Sequence, residues 1–579
     1  MLKKFLFLCI LVTCQGSLLR ESCFSPIYCH GELLHLIQTS GIFNDSKTFV
    51  DLSMIHSVNV TLESFFEFLV QTRKKPTITD IKQFVYQNFH SVGEIEEYWP
   101  PDYDPAPDIL FELEDHVVRK YTSELISLWP TLARRVTRPV MEEPQSYSII
   151  PVPHGFIIPG GRFKEIYYWD TFWIVHGLLI SGMNVTAEGM VDNLLSLVNR
   201  YGYVPNGTRV YYLNRSQPPL LVLMVALYVR ITRNLDFLEK SLPILEKEME
   251  FWLTKRVVQI EKNGTIYRLA TYGTQSDTPR PESYAEDIEN CEFFQNEEER
   301  AECFMDMKAG AESGWDFTTR WIFDNKGSPY ANLSHIQTRR NVPADLNAFL
   351  YMDFMTMYKM FLKLNMQRKA HYYYELGQEW KRNIEKFLWC EEDGIWYDYD
   401  LKLEKHRRYF YMSNFTPLWA KAMELSDMSN RIPRILQYII TNGILDFHGG
   451  TPSSFIPSGQ QWDYPNAWSP SQTILIFALE FSGNPEAKDV AKQLAHTWIR
   501  SNIKAYNENK VMFEKYNAEN SGQFGGGGEY LIQSGFGWTN GVMLELIDYY
   551  YRIPKPPVKK KQSKKQMKED IQENLDFFP

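Results

Sequence analysis

Apolar residues recur with a helical period over most of the chain. The spacing predicts helices over Phe111–Leu128, Trp173–Ile180, Met190–Val198, Leu220–Ile231, Leu235–Leu253, Leu346–Leu364, Tyr372–Leu388, Arg434–Ile440, Ser471–Phe481, Ala487–Ile503 and Val542–Tyr551. Leu62–Val70 and Ile81–Phe89 show the same spacing, and a Pro-rich break at Pro100, Pro101, Pro105 and Pro107 sets them apart. Two aromatic or β-branched stretches, Arg209–Leu213 and Gly394–Asp398, interrupt the rhythm and read as hairpin strands or extended loops. No stretch alternates strand and helix as a parallel sheet requires. Helix, long decorated loop, helix is the pattern of an α-solenoid or a closed α/α toroid. Periodicity does not choose between them.

Composition narrows the class. With 44% hydrophobic and 23% charged residues the chain has ample material for a core and is not disordered. The balance of 61 basic against 71 acidic residues lacks the basic excess of a nucleic-acid binder. Length alone suggests about three to four domains.

The start, with Lys3 and Lys4 before the apolar run Phe5–Val12 and a small residue at Gly16, reads as a secretory signal peptide over residues 1–16. No later apolar run reaches transmembrane length, and the Lys-rich end, Lys559–Lys568, lacks the apolar tail of a glycolipid anchor signal. The protein is therefore expected to be secreted. Export permits local disulfides among the neighbours Cys23 and Cys29 and among Cys291 and Cys303, with Cys390 left over, although connectivity is not fixed by sequence. Glycosylation sequons stand at Asn44, Asn59, Asn184, Asn206, Asn214, Asn263, Asn332 and Asn414.

The chemistry sits between the helices. Pro159–Thr171 brings together a Gly pair, Arg162, Trp169 and Asp170. Val204–Thr208 and Asn214–Pro219 add Asn206, Arg215 and Gln217. Pro279–Tyr284 carries Arg280 and Glu282, and Ala311–Trp321 carries Asp316 between Trp315 and Phe317. Gln460–Pro470 holds Trp462 and Asp463, and Phe513–Asn517 with Gly525–Asn540 supplies Glu514, Glu529 and four consecutive glycines. Arg forks, amides and carboxylates around flat aromatic faces suit a sugar, with hydroxyls at its rim and C–H groups on its faces. An apolar setting between aromatic rings would keep Asp316 protonated, as a general acid needs. The plainer alternative is an Asp316–Arg320 pair one helical turn apart. No metal-ligand spacing, nucleophile elbow or phosphate loop appears, so neither metal nor cofactor is expected. Carboxylates embedded in Trp, Tyr and Arg fit glycoside hydrolysis. The residues alone leave the catalytic pair open among Asp170, Glu282, Asp316, Asp463, Glu514 and Glu529.

In order along the chain, PGGRFKEIYYWDTFW, PNG, RSQPP, RPES, ESGWDF, QWDYPNAWSP, EKY and GGGGEY resemble the signatures of the inverting α,α-trehalases. The resemblance implies an all-α fold, an (α/α)6 toroid with long active-site loops and a few short hairpin strands. It implies hydrolysis of trehalose to two glucose molecules, with Asp316 as general acid and Glu514 as general base. Sugar contacts would fall on Arg162, Trp169, Asp170, Asn206, Arg215, Ser216, Gln217, Arg280, Glu282, Gly314 and Glu529. Phe163, Tyr167 and Trp462 would add ring surface. The Gly525–Gly528 loop would close over substrate. Asn206 and Asn214, lying in this site, are expected to be unglycosylated. Thr318–Thr319, Asn517 and Ala467 depart from the usual pattern without removing a catalytic carboxylate.

The expected organisation is a signal peptide (1–16), an N-terminal helical extension packed on the barrel (17–110), one catalytic barrel (111–553) and a basic, disordered tail (554–579). The expected partner is the small neutral sugar trehalose, with no nucleic acid, no transmembrane segment and no protein partner. A related toroid glucosidase and a catalytically silent sugar-binding protein are the competing readings.

Overall fold

The computed structural model describes residues 23–91, 93–553 and 577. The signal peptide expected over 1–16 lies outside the described residues. So does the basic tail from 554 on, apart from Phe577, which is buried.

Helix pairs follow one another along the chain: α1 (His116–Ile126), α2 (Asp170–Ile180), α3 (Asn184–Tyr201), α4 (Leu221–Thr232), α5 (Leu235–Lys255), α6 (Ala344–Lys363), α7 (Gln367–Phe387), α8 (Thr416–Trp419), α9 (Met428–Thr441), α10 (Ser469–Glu480), α11 (Pro485–Asn509) and α12 (Gly537–Tyr551). The even-numbered helices touch in the cycle α2, α4, α6, α8, α10, α12 and back to α2, so they close an inner ring. The odd-numbered helices form the outer layer. This is the (α/α)6 toroid, and the solenoid alternative falls because the ring closes.

Side-chain chemistry explains which helix goes where. Every residue of α10 is buried, as is the run Leu221–Val229 of α4, because an inner helix is covered on all sides. Outer α7 buries Ala370, Tyr373, Leu376, Gly377, Trp380, Asn383, Ile384 and Phe387, one stripe at helical spacing. The segment expected to be helical from Phe111 starts later, at His116, because Asp115 Oδ1 accepts from the Val117 and Val118 amides and caps α1 there.

The strands are short. Ile395–Trp396 pairs antiparallel with Trp389–Cys390, and Tyr399–Asp400 lies between Asn341–Val342 and Lys405–His406. Val210–Tyr212, by contrast, is a single 3-10 turn rather than a strand. Its side chains are fastened one by one. Arg209 binds Glu94 and Glu165, and the Tyr211 hydroxyl donates to Asp51. A hairpin of Val257–Lys262 with Thr265–Ala270 was not anticipated, although Asn263–Gly264 at its tip is the usual two-residue turn signal.

The N-terminal helices Glu32–Thr39, Val58–Gln71 and Ile78–Asn88 share a core with Tyr167, Tyr211 and Tyr212, which belong to the loops above the ring. Between the two, Lys47 pairs with Asp51 (2.6 Å) and Glu165 (2.8 Å), and Arg209 pairs with Glu94 (2.7 Å) and Glu165 (3.2 Å). Disulfides join Cys23 to Cys29 and Cys291 to Cys303, and Cys390 is a buried free thiol. The second disulfide staples helix Tyr284–Cys291 to helix Glu297–Glu312, which leads into the loop bearing Asp316.

One buried acidic pair stands apart from these networks. Glu248 on α5 accepts from the Tyr168 hydroxyl, whose oxygen in turn accepts the amides of Leu220 (3.1 Å) and Leu221 (3.0 Å) at the start of α4. Glu248 Oε2 and both carboxyl oxygens of Asp353 on α6 have no partner among the described residues. Burial pushes Glu248 up to about 8 and Asp353 well above the usual carboxylate range, so both are held as neutral acids. A folded pKa above the unfolded value gives stability that is fully present below about pH 4.5 and is lost as pH rises toward 8. Thermal unfolding followed from pH 5 to pH 8 should show a falling Tm, as the unfolding free energy drops by up to about 1.4 kcal/mol per pH unit for each such group. Glu248→Gln should flatten that slope and raise the Tm at pH 8; an unchanged slope would refute the assignment.

Candidate active site

The loops that lead into the inner helices converge on one cavity. Arg162, Phe163, Tyr167, Trp169, Asp170, Asn206, Arg215, Gln217, Arg280, Glu282, Gly314, Asp316, Trp462, Glu514 and Glu529 all line it. Ser216 is not among the lining residues. Its amide donates to Glu312 (2.8 Å) and its hydroxyl to the Val204 carbonyl (2.7 Å), so it braces the loop from behind. Tyr212, Ser283, Trp468, Tyr530, Phe536 and Trp538 also line the cavity and had not been singled out, although the last four lie within or beside quoted motifs.

Local backbone explains several of these placements. Gly161 has φ +59° and approaches so close to Gln533 that a Cβ would sit 2.1 Å from Oε1; the same Oε1 accepts the Arg162 amide at 2.8 Å. Gly314 has φ +73°, and a Cβ there would meet the Trp169 ring at 2.8 Å. Glycine at 314 thus lets Trp169 lie flat against the loop that carries Asp316. Below the cavity the indoles of Trp315, Trp462 and Trp468 stack in a column, with centroids 4.8 Å and 4.0 Å apart. Trp538 Nε1 donates to the Glu514 carbonyl (3.1 Å) and Trp468 Nε1 to the Gln461 carbonyl (2.9 Å), so the rigid column also fixes backbone.

The carboxyl groups sort by their neighbours. Glu282 takes Arg215 Nη2 at 2.7 Å, and Glu529 takes Arg280 Nη2 at 2.9 Å, while Arg280 also forks onto Asp287. Arg215 Nε donates to Asn206 Oδ1 at 2.8 Å. Asp463 does not reach the cavity. It accepts from the hydroxyls of Thr318, Thr319, Ser454 and Ser458 and from the Thr319 amide, which ties two loops together. Asp170, Asp316 and Glu514 remain, lining the cavity with no hydrogen bond to an arginine among the described residues. Asp316 is not paired with Arg320, which instead binds Asp345 and Asp398.

Burial dominates the protonation of these three. It pushes Asp316 up to about 7, against the opposing pull of Arg280, and it pushes Asp170 well above the usual carboxylate range. Glu514 is also raised by burial, opposed by Lys515 and by the Tyr530 hydroxyl, which donates to Oε1 at 2.8 Å. Glu514 Oε2, Glu282 Oε2 and Arg162 Nε are buried without hydrogen-bond partners among the described residues, although Lys515 Nζ lies 3.9 Å from Glu514 Oε2 and each residue lines the cavity. They offer two acceptors and a donor to a polyhydroxylated ligand.

The glycine loop already rests on the loop bearing Trp462. Asn466 donates to the Gly526 carbonyl (2.7 Å) and accepts its amide (2.9 Å), and Lys515 Nζ donates to Gln461 Oε1 (2.7 Å). The sequons at Asn206 and Asn214 are buried in the site, and Asn414 is buried as well. No group of His, Cys, Asp and Glu able to hold a metal ion occurs among the described residues.

The trehalase family model matches residues 41–551. The chain is 48% identical to a trehalase of Tenebrio molitor over 92% of this chain and 96% of that one, and 41% identical to a trehalase of Homo sapiens over 91% and 90%. Among solved structures, the neutral trehalase Nth1 from Saccharomyces cerevisiae shares the fold, with a TM-score of 0.56 and 23% identity over 68% of this chain and 73% of that one. With these loops converging on one cavity and a family match that runs through all of them, the chain is a member of the trehalase family of glycoside hydrolases.

Proposed function

We propose that the protein is an exported trehalase that hydrolyses α,α-trehalose with inversion at one anomeric carbon, with Asp316 as general acid and Glu514 as general base. The observation that carries this reading is the contrast among the buried carboxyls. Against its burial, Arg215 and Arg280 hold Glu282 below the usual carboxylate range, whereas Asp316 and Glu514 face the same cavity without an arginine hydrogen bond, are raised by burial, and so can exchange a proton. Asp316, neutral below about pH 7, donates its proton to the bridging oxygen as the glycosidic bond breaks. Glu514, ionised, takes a proton from the water that attacks the anomeric carbon on the opposite face. That water needs room, so the two carboxyls are expected to stand ~6.5–9.5 Å apart. Arg162, Arg215 and Arg280, with Asn206 and Gln217, bind hydroxyls, and Trp169 and Trp462 supply flat walls for the rings. Export is supported by the leader-like start and two disulfides. Among the described residues no helix is long and apolar enough to cross a membrane.

Proton NMR of the first products should show one β-glucose and one α-glucose per trehalose; two α products would mean retention and a different carboxylate pair. Asp316→Asn and Glu514→Gln should each lower kcat by about 10²–10⁴-fold with folding intact. Near-normal turnover in either would remove that residue's role. The profile of kcat/KM against pH should rise as Glu514 ionises and fall above about pH 7 as Asp316 loses its proton. Tyr530→Phe removes a hydrogen bond that favours the Glu514 anion, so the acidic limb should move to higher pH; an unmoved limb would count against Glu514 as base.

A further inference from the structure

Arg162 enters the cavity from the loop before α2, but the group that fixes its side chain comes from the N-terminal extension. Arg162 Nη2 donates to Asp45 Oδ1 at 2.6 Å. Its guanidinium lies over the rings of Tyr530 (4.8 Å) and Phe163 (5.4 Å), and Tyr530 is the residue that donates to Glu514. Asp45, Arg162, Tyr530 and Glu514 therefore form one continuous chain of contacts from the extension to the base. Asp45 is itself anchored. Its Oδ1 also accepts the Lys47 amide at 2.9 Å, and Lys47 Nζ is held by Glu165, three residues beyond Arg162. The Ser46 hydroxyl donates to Glu286 (2.8 Å), and Gln38 Nε2 bridges the carbonyls of Ser46 and Pro281, both at 2.8 Å. Residues 45–47 are thus fastened on one side to the Arg162 loop and on the other to the loop of Arg280 and Glu282.

We propose that Asp45 is a positioning residue for the hydrolysis. It holds the Arg162 fork so that the unpartnered Nε is presented to a substrate hydroxyl, and its charge tempers the field of Arg162 at Glu514. The inference rests on the reading of Glu514 as base and of trehalose as substrate. Glu514 faces Lys515 of its own strand, Tyr530 of the glycine loop, Arg162, and Asp170 at the start of α2. Arg162 faces Asp45, Tyr530 and Tyr167. Neutralising Asp45 leaves the Arg162 charge less compensated, which favours the Glu514 anion, so the acidic limb of the pH profile moves down. A fork held only by a neutral amide oxygen is held more weakly and binds the sugar less well, so KM rises. A merely structural role would lower activity or stability without moving the limb in a set direction.

Asp45→Asn is the discriminating variant, because its amide oxygen still caps the Lys47 amide while the charge is gone. The full-length protein carrying it should hydrolyse trehalose with KM raised about 10-fold and kcat little changed. Its acidic limb should lie roughly 0.5 pH unit lower than in the wild type. On an Arg162→Gln background, adding Asp45→Asn should change KM by less than about twofold and leave the limb where it is, because the two residues act through one contact. Wild-type KM and limb in Asp45→Asn, or fully additive losses in the double variant, overturn the proposal. Should Asp45→Asn fail to fold, Asp45→Glu keeps the charge and alters the reach; it should raise KM with the limb unmoved, and a shifted limb overturns the proposal equally. A wild-type protein that leaves trehalose intact removes the reading of the whole site, whereas an active wild type with an indifferent Asp45→Asn removes the role of Asp45 alone.

Discussion

Charge taken out of water is the constraint on which this structure turns. A buried ion without a partner costs several kcal/mol, and breaking a buried pair typically costs about 3–5 kcal/mol. The mouth of the toroid is built to meet that requirement. Arg215 with Glu282, Arg280 with Asp287 and Glu529, Arg209 with Glu94 and Glu165, Arg256 with Glu312, and Arg320 with Asp345 and Asp398 each join separate loops or helices. Satisfying each charge thereby fixes the mutual position of two chain segments. The sugar-binding loops have little regular secondary structure, and these forks replace it as the source of order.

The chemistry proposed above would occupy what that network leaves without an arginine. Asp316 and Glu514 are desolvated without an arginine hydrogen bond on either carboxyl, and burial raises the pKa of both, so each can take up or release a proton. The same principle appears without chemical use deeper in the barrel wall, where Glu248 and Asp353 are held neutral beside Tyr168. Burial alone therefore does not mark a catalytic carboxyl.

The N-terminal extension belongs to the same economy of charge. Its helices pack on Tyr167, Tyr211 and Tyr212, and its Asp45, Lys47 and Asp51 satisfy charges on the loops that line the cavity. The sequence marks Leu62–Val70 and Ile81–Phe89 as helical but gives no sign of this role. The stretch Asn44–Lys47 is short and polar and carries none of the family motifs quoted above. Only the approach of Arg162 and Glu165 in space gives those residues partners.

Much of the site was legible because its groups cluster in sequence. Arg162, Trp169 and Asp170, or Asn206, Arg215 and Gln217, stand close together on single loops, and the order of those loops identifies the family. Helix type and approximate extent were legible for a similar reason, since the 3.6-residue period is a local property. Closure of the ring, the assignment of α4 and α10 to its inner layer, and the removal of Asp463 from the catalytic candidates were not. They depend on contacts between residues far apart in the chain, such as Thr318 and Thr319 with Asp463 or α12 with α2. The bracing of Ser216 behind the cavity wall and the 3-10 turn at Val210–Tyr212 were not legible on the same ground, because Glu312, Glu94 and Asp51 claim neighbouring polar groups from distant elements. The sequence by itself determined the helical composition, the set of side chains available for sugar chemistry and the family. The tertiary structure decided which carboxyls lose their charge partners, because desolvation and pairing are properties of the assembled fold and have no local signature.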